Sequence, residues 1–205
     1  MQKQIKKFQL ILGSSSPRRR EFFEYLGVPF KIITPDIEEI SHEKNAVAYV
    51  KDIAAQKAQC VWDKVRDKQS FVVCSDTTVA LADEIIGKPK DHDEALQFLA
   101  KLEGKTHQVH TAVHCFYGQD QASLSFCETT NVSFGQYDQV LLKDYISTGD
   151  SLDKAGAYGA QGMAQIFIKS IEGSYSNVIG FPMSTFLAYL QDRFSSVQSI
   201  KGLFK

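Results

Sequence analysis

Cysteine is sparse in this chain. The four present, Cys60, Cys74, Cys115 and Cys127, are widely spaced and form no CxxC pair. That argues against a disulfide framework and for reduced, mostly buried thiols in a cytoplasmic protein. Long apolar runs are also missing: stretches such as residues 71–74 are far too short to cross a bilayer. Residues 1–7 are basic, but only five apolar residues follow, which is not a signal-peptide pattern. No single sign of charge dominates. A formal net charge of −1 speaks against a dedicated nucleic-acid surface, although a local basic cleft stays open. Internal repeats, low-complexity tracts and linkers are absent.

What is present suits a folded enzyme-sized domain. The 205 residues are 43% hydrophobic and 23% charged, enough for a substantial core in one large domain or two small lobes, with residues 1–8 and 195–205 peripheral and the last ten loose. Strand patterns at 8–12, 30–33, 71–74, 107–117, 123–134 and 165–171 alternate with helical ones at 45–66, 91–102, 138–147 and 182–194. Asp91 with Glu94 three residues on forms a capping box. This mixture predicts an α/β fold with a partly antiparallel sheet.

The run Ser16-Pro17-Arg18-Arg19-Arg20 is the most informative segment. It follows an apolar strand and the small turn Gly13-Ser14-Ser15. Ser16 suits an N-cap, Pro17 the first helical position, and Gly27 the stop after Phe22, Phe23 and Leu26. Small residues, free helix N–H groups and two or three arginines meeting at one point form an anion site suited to phosphate. Asp76 follows the 71–74 strand directly, at the end where open α/β sheets place ligands; it can hold a divalent cation, accept a proton from water, or simply cap a turn. Lys57 sits near the apolar face of the 45–66 helix, so its ammonium can point into a cleft, and Gly87-Lys88-Pro89 presents a second lysine on a rigid turn. Glu38-Glu39 could bind a metal or a substrate hydroxyl. His107, His110 and His114 have helical spacing, but the surrounding alternation is that of a strand, which turns His107 away from the other two. Residues 155–162 are too glycine-rich for a helix and are neither a GxGxxG fingerprint nor a P-loop; they suggest backbone approaching a ligand, with Gln161 able to read a base.

Together these segments resemble the Maf family of nucleoside triphosphate pyrophosphatases. The likeness rests on Ser14-Ser15-Ser16-Pro17-Arg18-Arg19, Pro35-Asp36-Ile37-Glu38-Glu39, Ala55-Gln56-Lys57-Ala58, Ser75-Asp76-Thr77, Gly87-Lys88-Pro89, Gly104-Lys105-Thr106-His107 and the loops at 155–162 and 172–182. It implies a two-lobed fold like that of inosine triphosphatases, with an elongated mixed sheet and a deep nucleotide cleft, commonly in a homodimer. It also implies that Asp76 is the catalytic proton acceptor and that Arg18, Thr77 and Gln161 set substrate preference. Ser14, Arg19, Lys57 and Lys88 would handle phosphate, and Asp76 with Glu39 would hold Mg²⁺ or Mn²⁺. The setting of Gln161 is similar to the subgroup acting on dTTP and UTP. A preference for 7-methyl-GTP or another purine triphosphate, and a nucleotide-sensing role in septum formation without turnover, are the alternatives. Small differences from the usual family pattern fall at Gly13, Ser15 and Ser75.

Overall fold

A computed structural model describes residues 7–65, 67, 69–195 and 199–205. Strand β1 (Gln9–Leu12) leads into helix α1 (Pro17–Tyr25), followed by β2 (Phe30–Ile32) and the long helix α2 (Ala46–Lys64). Strands β3 (Ser70–Leu81) and β4 (Glu84–Ile86), helix α3 (His92–Leu102), and strands β5 (Thr106–Tyr117) and β6 (Ala122–Phe134) form the middle of the chain. Helix α4 (Gln139–Ser147), 3₁₀ turns at Ala155–Ala157 and Gly162–Phe167, β7 (Ile168–Glu172), and helices α5 (Tyr175–Ile179), α6 (Met183–Arg193) and α7 (Ile200–Leu203) complete it.

Local chemistry sets several of these bounds. Ser16 Oγ accepts from the Arg19 amide at 3.5 Å with Pro17 opening α1, and Gly27, at φ +61°, bonds back to the Glu24 carbonyl at 3.0 Å. Asn45 Oδ1 accepts from the amides of Val47 and Ala48 at 3.0 and 3.1 Å, so α2 starts one residue later than expected. It ends at Lys64, and Arg66, expected within it, lies outside the described residues. Asp91 Oδ1 accepts from the Glu94 amide at 2.8 Å, Glu94 Oε2 reaches back to the amide of Lys90, one residue before the cap, at 2.7 Å, and α3 closes at Leu102 as expected.

One sheet of seven strands carries the molecule, in the order β2-β1-β3-β5-β6-β7 with β4 alongside β3. β1 pairs in parallel with β2 and β3, and the other pairings are antiparallel. Both faces are covered. Val72 and Cys74 of β3 pack against Ala58, Val61 and Trp62 of α2, while Phe71 and Val73 point the opposite way, toward Phe23 of α1 and Phe186 of α6. On that second face, Val79, Val109 and Val132 join a further cluster with α3, α4 and the glycine-rich loop.

Three sequence expectations are corrected. β3 does not stop at Cys74: ten register positions against β5, Phe71 to Ala80, carry it on to Leu81, so Asp76 lies inside a strand. Residues 165–167 belong to a 3₁₀ turn, and β7 starts only at Ile168, where pairing with β6 begins. Residues 199–205 are not loose. Phe8 bridges to Phe204 through Phe8 N–Leu203 O at 2.8 Å and Lys205 N–Phe8 O at 2.9 Å, and both Leu203 and Phe204 are buried; residues 1–6 and 196–198 lie outside the described part.

Strand parity separates the three histidines. His107 Nε2 meets the Tyr158 hydroxyl at 2.6 Å, whereas His110 Nδ1 meets Thr129 Oγ1 at 2.9 Å on the other face. Burial pushes His107 down to about 4 and also lowers His110 and His114. The unfolded chain therefore takes up protons that the native state refuses, and stability present above pH ~6.5 is lost as pH falls toward ~4. Urea midpoints followed across that window should drop steeply, and His107→Gln should flatten the drop; an unchanged slope would show that His107 does not drive it.

Candidate active site

The long strand β3 makes the site by outrunning its neighbour. On one edge it pairs with β1 up to Leu12–Val73, and it meets β4 only from Val79–Ile86 onward. Among the described residues no strand covers residues 74–78 on that edge. A cleft of about 440 Å³ opens there, within the usual range for small-molecule sites, roughly 300–1,000 Å³. Residues 13–19 form one wall, Lys88 follows β4 on another, and residues 153–155 and 158–160 close the far side.

The two faces of β3 give adjacent residues different work. Asp76 points toward α2, where the Lys57 ammonium lies 2.7 Å from Asp76 Oδ1 and 2.8 Å from Glu39 Oε1. Lys57 and Asp76 are buried (7% exposed each), so each needs the other. Glu39 arrives on the extended segment before α2, held there by a bond from Gln56 Nε2 to the Ile40 carbonyl at 2.9 Å. Burial raises the Glu39 carboxyl, but the hydrogen bond and charge of Lys57, with Lys88 and Arg19 beyond, outweigh it and the net shift is downward. Glu38 stays exposed.

Thr77 points to the opposite face. Its hydroxyl accepts from Arg19 Nη2 at 3.1 Å and shares a 3.0 Å hydrogen bond with Thr111, while Arg19 Nε donates to the Gly180 carbonyl at 2.9 Å. Burial pulls the Arg19 guanidinium below its ordinary value, and Asp76 opposes that shift. Ser14 Oγ accepts from the Ser16 amide at 3.1 Å, shaping the turn into α1. Arg18 reaches Asp153 at 3.6 Å, and Arg20 turns outward to pair with Glu24.

The structure thus brings Ser14, Arg18, Arg19, Glu39, Lys57, Asp76, Thr77 and Lys88 to one cleft. Gln161 is half-buried and is not among the cleft-lining residues; Gly159 and Ala160 just before it are. Sequence reasoning missed Asp153 and Lys154. The signal was the Asp150–Lys154 spacing of four, beside a glycine-rich run that drew attention away from it. The carboxylates also fit a hard divalent cation. No group of three or more His, Cys, Asp or Glu side chains suited to a metal occurs among the described residues. Mg²⁺ typically needs only one or two carboxylates when substrate phosphates complete its shell, and Asp76 with Glu39 meets that requirement.

Two outcomes follow from this geometry. Lys57→Met, which strands a buried carboxylate, should lower stability by about 3 kcal/mol, and adding Asp76→Asn should restore part of it rather than add to the loss; simple additivity in urea titrations would contradict the pairing. A Cβ on Gly13 would collide with Cys74 Sγ. Gly13→Ala should therefore lower stability by about 1–3 kcal/mol, with Cys74→Ala in the same chain relieving most of it.

Comparison with known proteins agrees with this geometry. The family described as Maf-like protein matches residues 9–193. The dTTP/UTP pyrophosphatase of Alkaliphilus oremlandii is 43% identical over 187 residues, 91% of this chain and 96% of the relative. That of a Thermoanaerobacter species is 38% identical over 186 residues, 91% and 97% of the two chains. Among solved structures, the Staphylococcus aureus Ham1 protein aligns over 90% of this chain and 99% of its own with a TM-score of 0.54 at 13% identity, a likeness of fold. By the extent of the family match and the identity to these relatives, the chain belongs to the Maf family.

Proposed function

We propose that this protein is a nucleoside triphosphate pyrophosphatase that hydrolyses dTTP and UTP to the monophosphate and diphosphate. The observation that carries the reading is the buried Lys57 shared by Asp76 and Glu39 at the floor of a cleft whose rim holds Arg18, Arg19 and Lys88. The names of the relatives supply the substrate class.

In this reading the triphosphate lies against Arg19 and Lys88, which take up charge on the leaving diphosphate, while Arg18 beside Asp153 acts in substrate preference. Water attacks the α-phosphorus, the bond from it to the α–β bridging oxygen breaks, and the water's proton passes to the Asp76 carboxylate. Lys57 holds that carboxylate fixed in direction. A divalent cation, Mg²⁺ or Mn²⁺, held by Asp76 and Glu39 would add charge neutralisation at the phosphates when bound. Ser14 shapes the phosphate turn, and Thr77 and Gln161 keep their proposed roles in substrate preference, Thr77 by anchoring Arg19.

The same reading includes a homodimer and a cytoplasmic setting. The free cysteines at 60, 74, 115 and 127 suit a reducing compartment, and no helix among the described residues is long and apolar enough to cross a membrane. No nucleic-acid partner is proposed.

Purified protein with Mg²⁺ or Mn²⁺ should release diphosphate from dTTP and UTP faster than from CTP, GTP, 7-methyl-GTP or ITP. Asp76→Asn should abolish release while keeping the circular dichroism spectrum of the folded parent, with a lower urea midpoint because Lys57 loses a buried partner. Turnover confined to 7-methyl-GTP would replace the substrate assignment; near-normal turnover by Asp76→Asn would remove Asp76 from the chemistry.

A further inference from the structure

Lys154 sits in the far wall of the cleft with its ammonium fully engaged. Its Nζ donates to the Asp150 carbonyl at 2.5 Å, to Asp150 Oδ1 at 3.1 Å and to Asp153 Oδ1 at 2.6 Å, and its side chain is only 9% exposed. Gly159 makes room for its stem: a Cβ there would stand 3.0 Å from both Lys154 Cδ and Cε. The Asp153 carboxylate that Lys154 clamps is itself 66% exposed, and its other oxygen, Oδ2, faces Arg18 Nη1 at 3.6 Å. Arg18, Asp153 and Lys154 all line the cleft. The mechanism uses neither Asp153 nor Lys154, and a buried lysine that spends all three N–H groups on two neighbouring aspartates is a holding device rather than a phosphate ligand.

The result is a guanidinium donor beside a carboxylate acceptor, fixed in place and reachable from the cleft. Uracil and thymine present the complement. Their N3–H is a donor, and the carbonyl on either side of it is an acceptor. Cytosine reverses the central atom, because its N3 is an acceptor and would face the carboxylate lone pairs. The Asp153 carboxylate stays ionised beside these cations. Burial raises it, but the hydrogen bond and charge of Lys154 and the charge of Arg18 carry it below the usual range.

Resting on the function proposed above, we propose that Asp153 is a base-reading residue, accepting the N3–H of uracil or thymine while Arg18 donates to the adjacent carbonyl, and that Lys154 is the positioning residue that aims it. The pair selects an N–H flanked by a carbonyl. Guanine and hypoxanthine also carry that pattern, so their exclusion falls to the size of the cleft rather than to this contact.

The test uses the whole protein and three nucleotides: UTP, CTP and N3-methyl-UTP, in which the reading proton is replaced by a methyl group. For the parent protein, kcat/KM for UTP should exceed that for each of the others by at least about tenfold, the scale of one lost hydrogen bond to a charged group. Asp153→Asn, whose amide can also donate, should narrow the UTP-to-CTP ratio by raising CTP turnover. Lys154→Met should loosen the same ratio while kcat changes less than the discrimination does. Equal use of UTP and N3-methyl-UTP by the unmutated protein would overturn the proposal with no variant involved, and so would a uniform loss on all three nucleotides in Asp153→Asn. Equilibrium binding of the same nucleotides to Asp76→Asn keeps the proposal separate from turnover. Binding that prefers UTP over N3-methyl-UTP, together with no hydrolysis of either by the parent protein, supports base reading and defeats the pyrophosphatase assignment. Equal binding defeats base reading alone.

Discussion

A lysine that is almost out of reach of water, shared between two carboxylates, is the constraint on which the rest of the site depends. Desolvating an isolated ammonium or carboxylate carries a penalty of several kcal/mol, and Lys57 and Asp76 escape it only by lying 2.7 Å apart. That requirement fixes where α2 sits against the sheet, since a slide of one residue along either element would break the contact. It also fixes the segment carrying Glu39, whose carboxylate takes the second of the lysine's three donors. Three elements distant in sequence are thereby locked around one nitrogen, and the carboxylate assigned to the chemistry is held in one direction before any substrate arrives.

The second determinant is the mismatch in strand length. β1 contributes four residues and β3 twelve. The excess leaves five residues of β3 without a neighbour on one edge, and the turn after β1 then delivers the N-terminus of α1 beside that opening. A sheet with matched strands would have buried this edge. Because side chains alternate along β3, Asp76 and Thr77 serve opposite faces: one belongs to the buried ion pair, the other to the Arg19 anchor. Arg19 accordingly serves as a brace between α1, β3 and the turn at Gly180 as well as a cation of the cleft.

Much of this was legible in the residues, where the signal was short-range. Caps at Ser16 and Asp91 and helical patterns opening at residues 45 and 138 placed helix starts to within a residue, and the inward setting of Lys57 followed from its apolar neighbours on α2. The continuation of β3 was not legible, since Ser75, Asp76, Thr77 and Thr78 form a polar stretch and only pairing with β5 keeps them extended. The docking of Phe204 was hidden for a similar reason: its partners, Phe8 and Phe71, lie at the other end of the chain or in the middle of it. The Asp153–Lys154 clamp escaped because its charges cancel locally and read as a solvated pair, a distinction that burial alone makes. Which residues gather at the cleft could be anticipated from family likeness, whereas their division into anchors and free groups needed coordinates.

The bridge between Phe8 and Phe204 also bears on how the molecule is made. β1 lies between β2 and β3, yet the chain just before it is held by residues 203–205, far away in sequence. Closing so long a loop adds little to the equilibrium balance, since each doubling of loop length contributes only about 0.6 kcal/mol. Its effect is on order and timing. A nascent chain can assemble α2, β3, β5 and β6 early, but the aromatic seam of Phe8, Phe71, Tyr117, Phe194 and Phe204 stays open until residues 194–204 have been made. Adding residues 203–205 is therefore a folding event, and without them Phe8 would keep its ring contacts with Phe71 and Tyr117 but lose the backbone bridge that holds the chain before β1 in place.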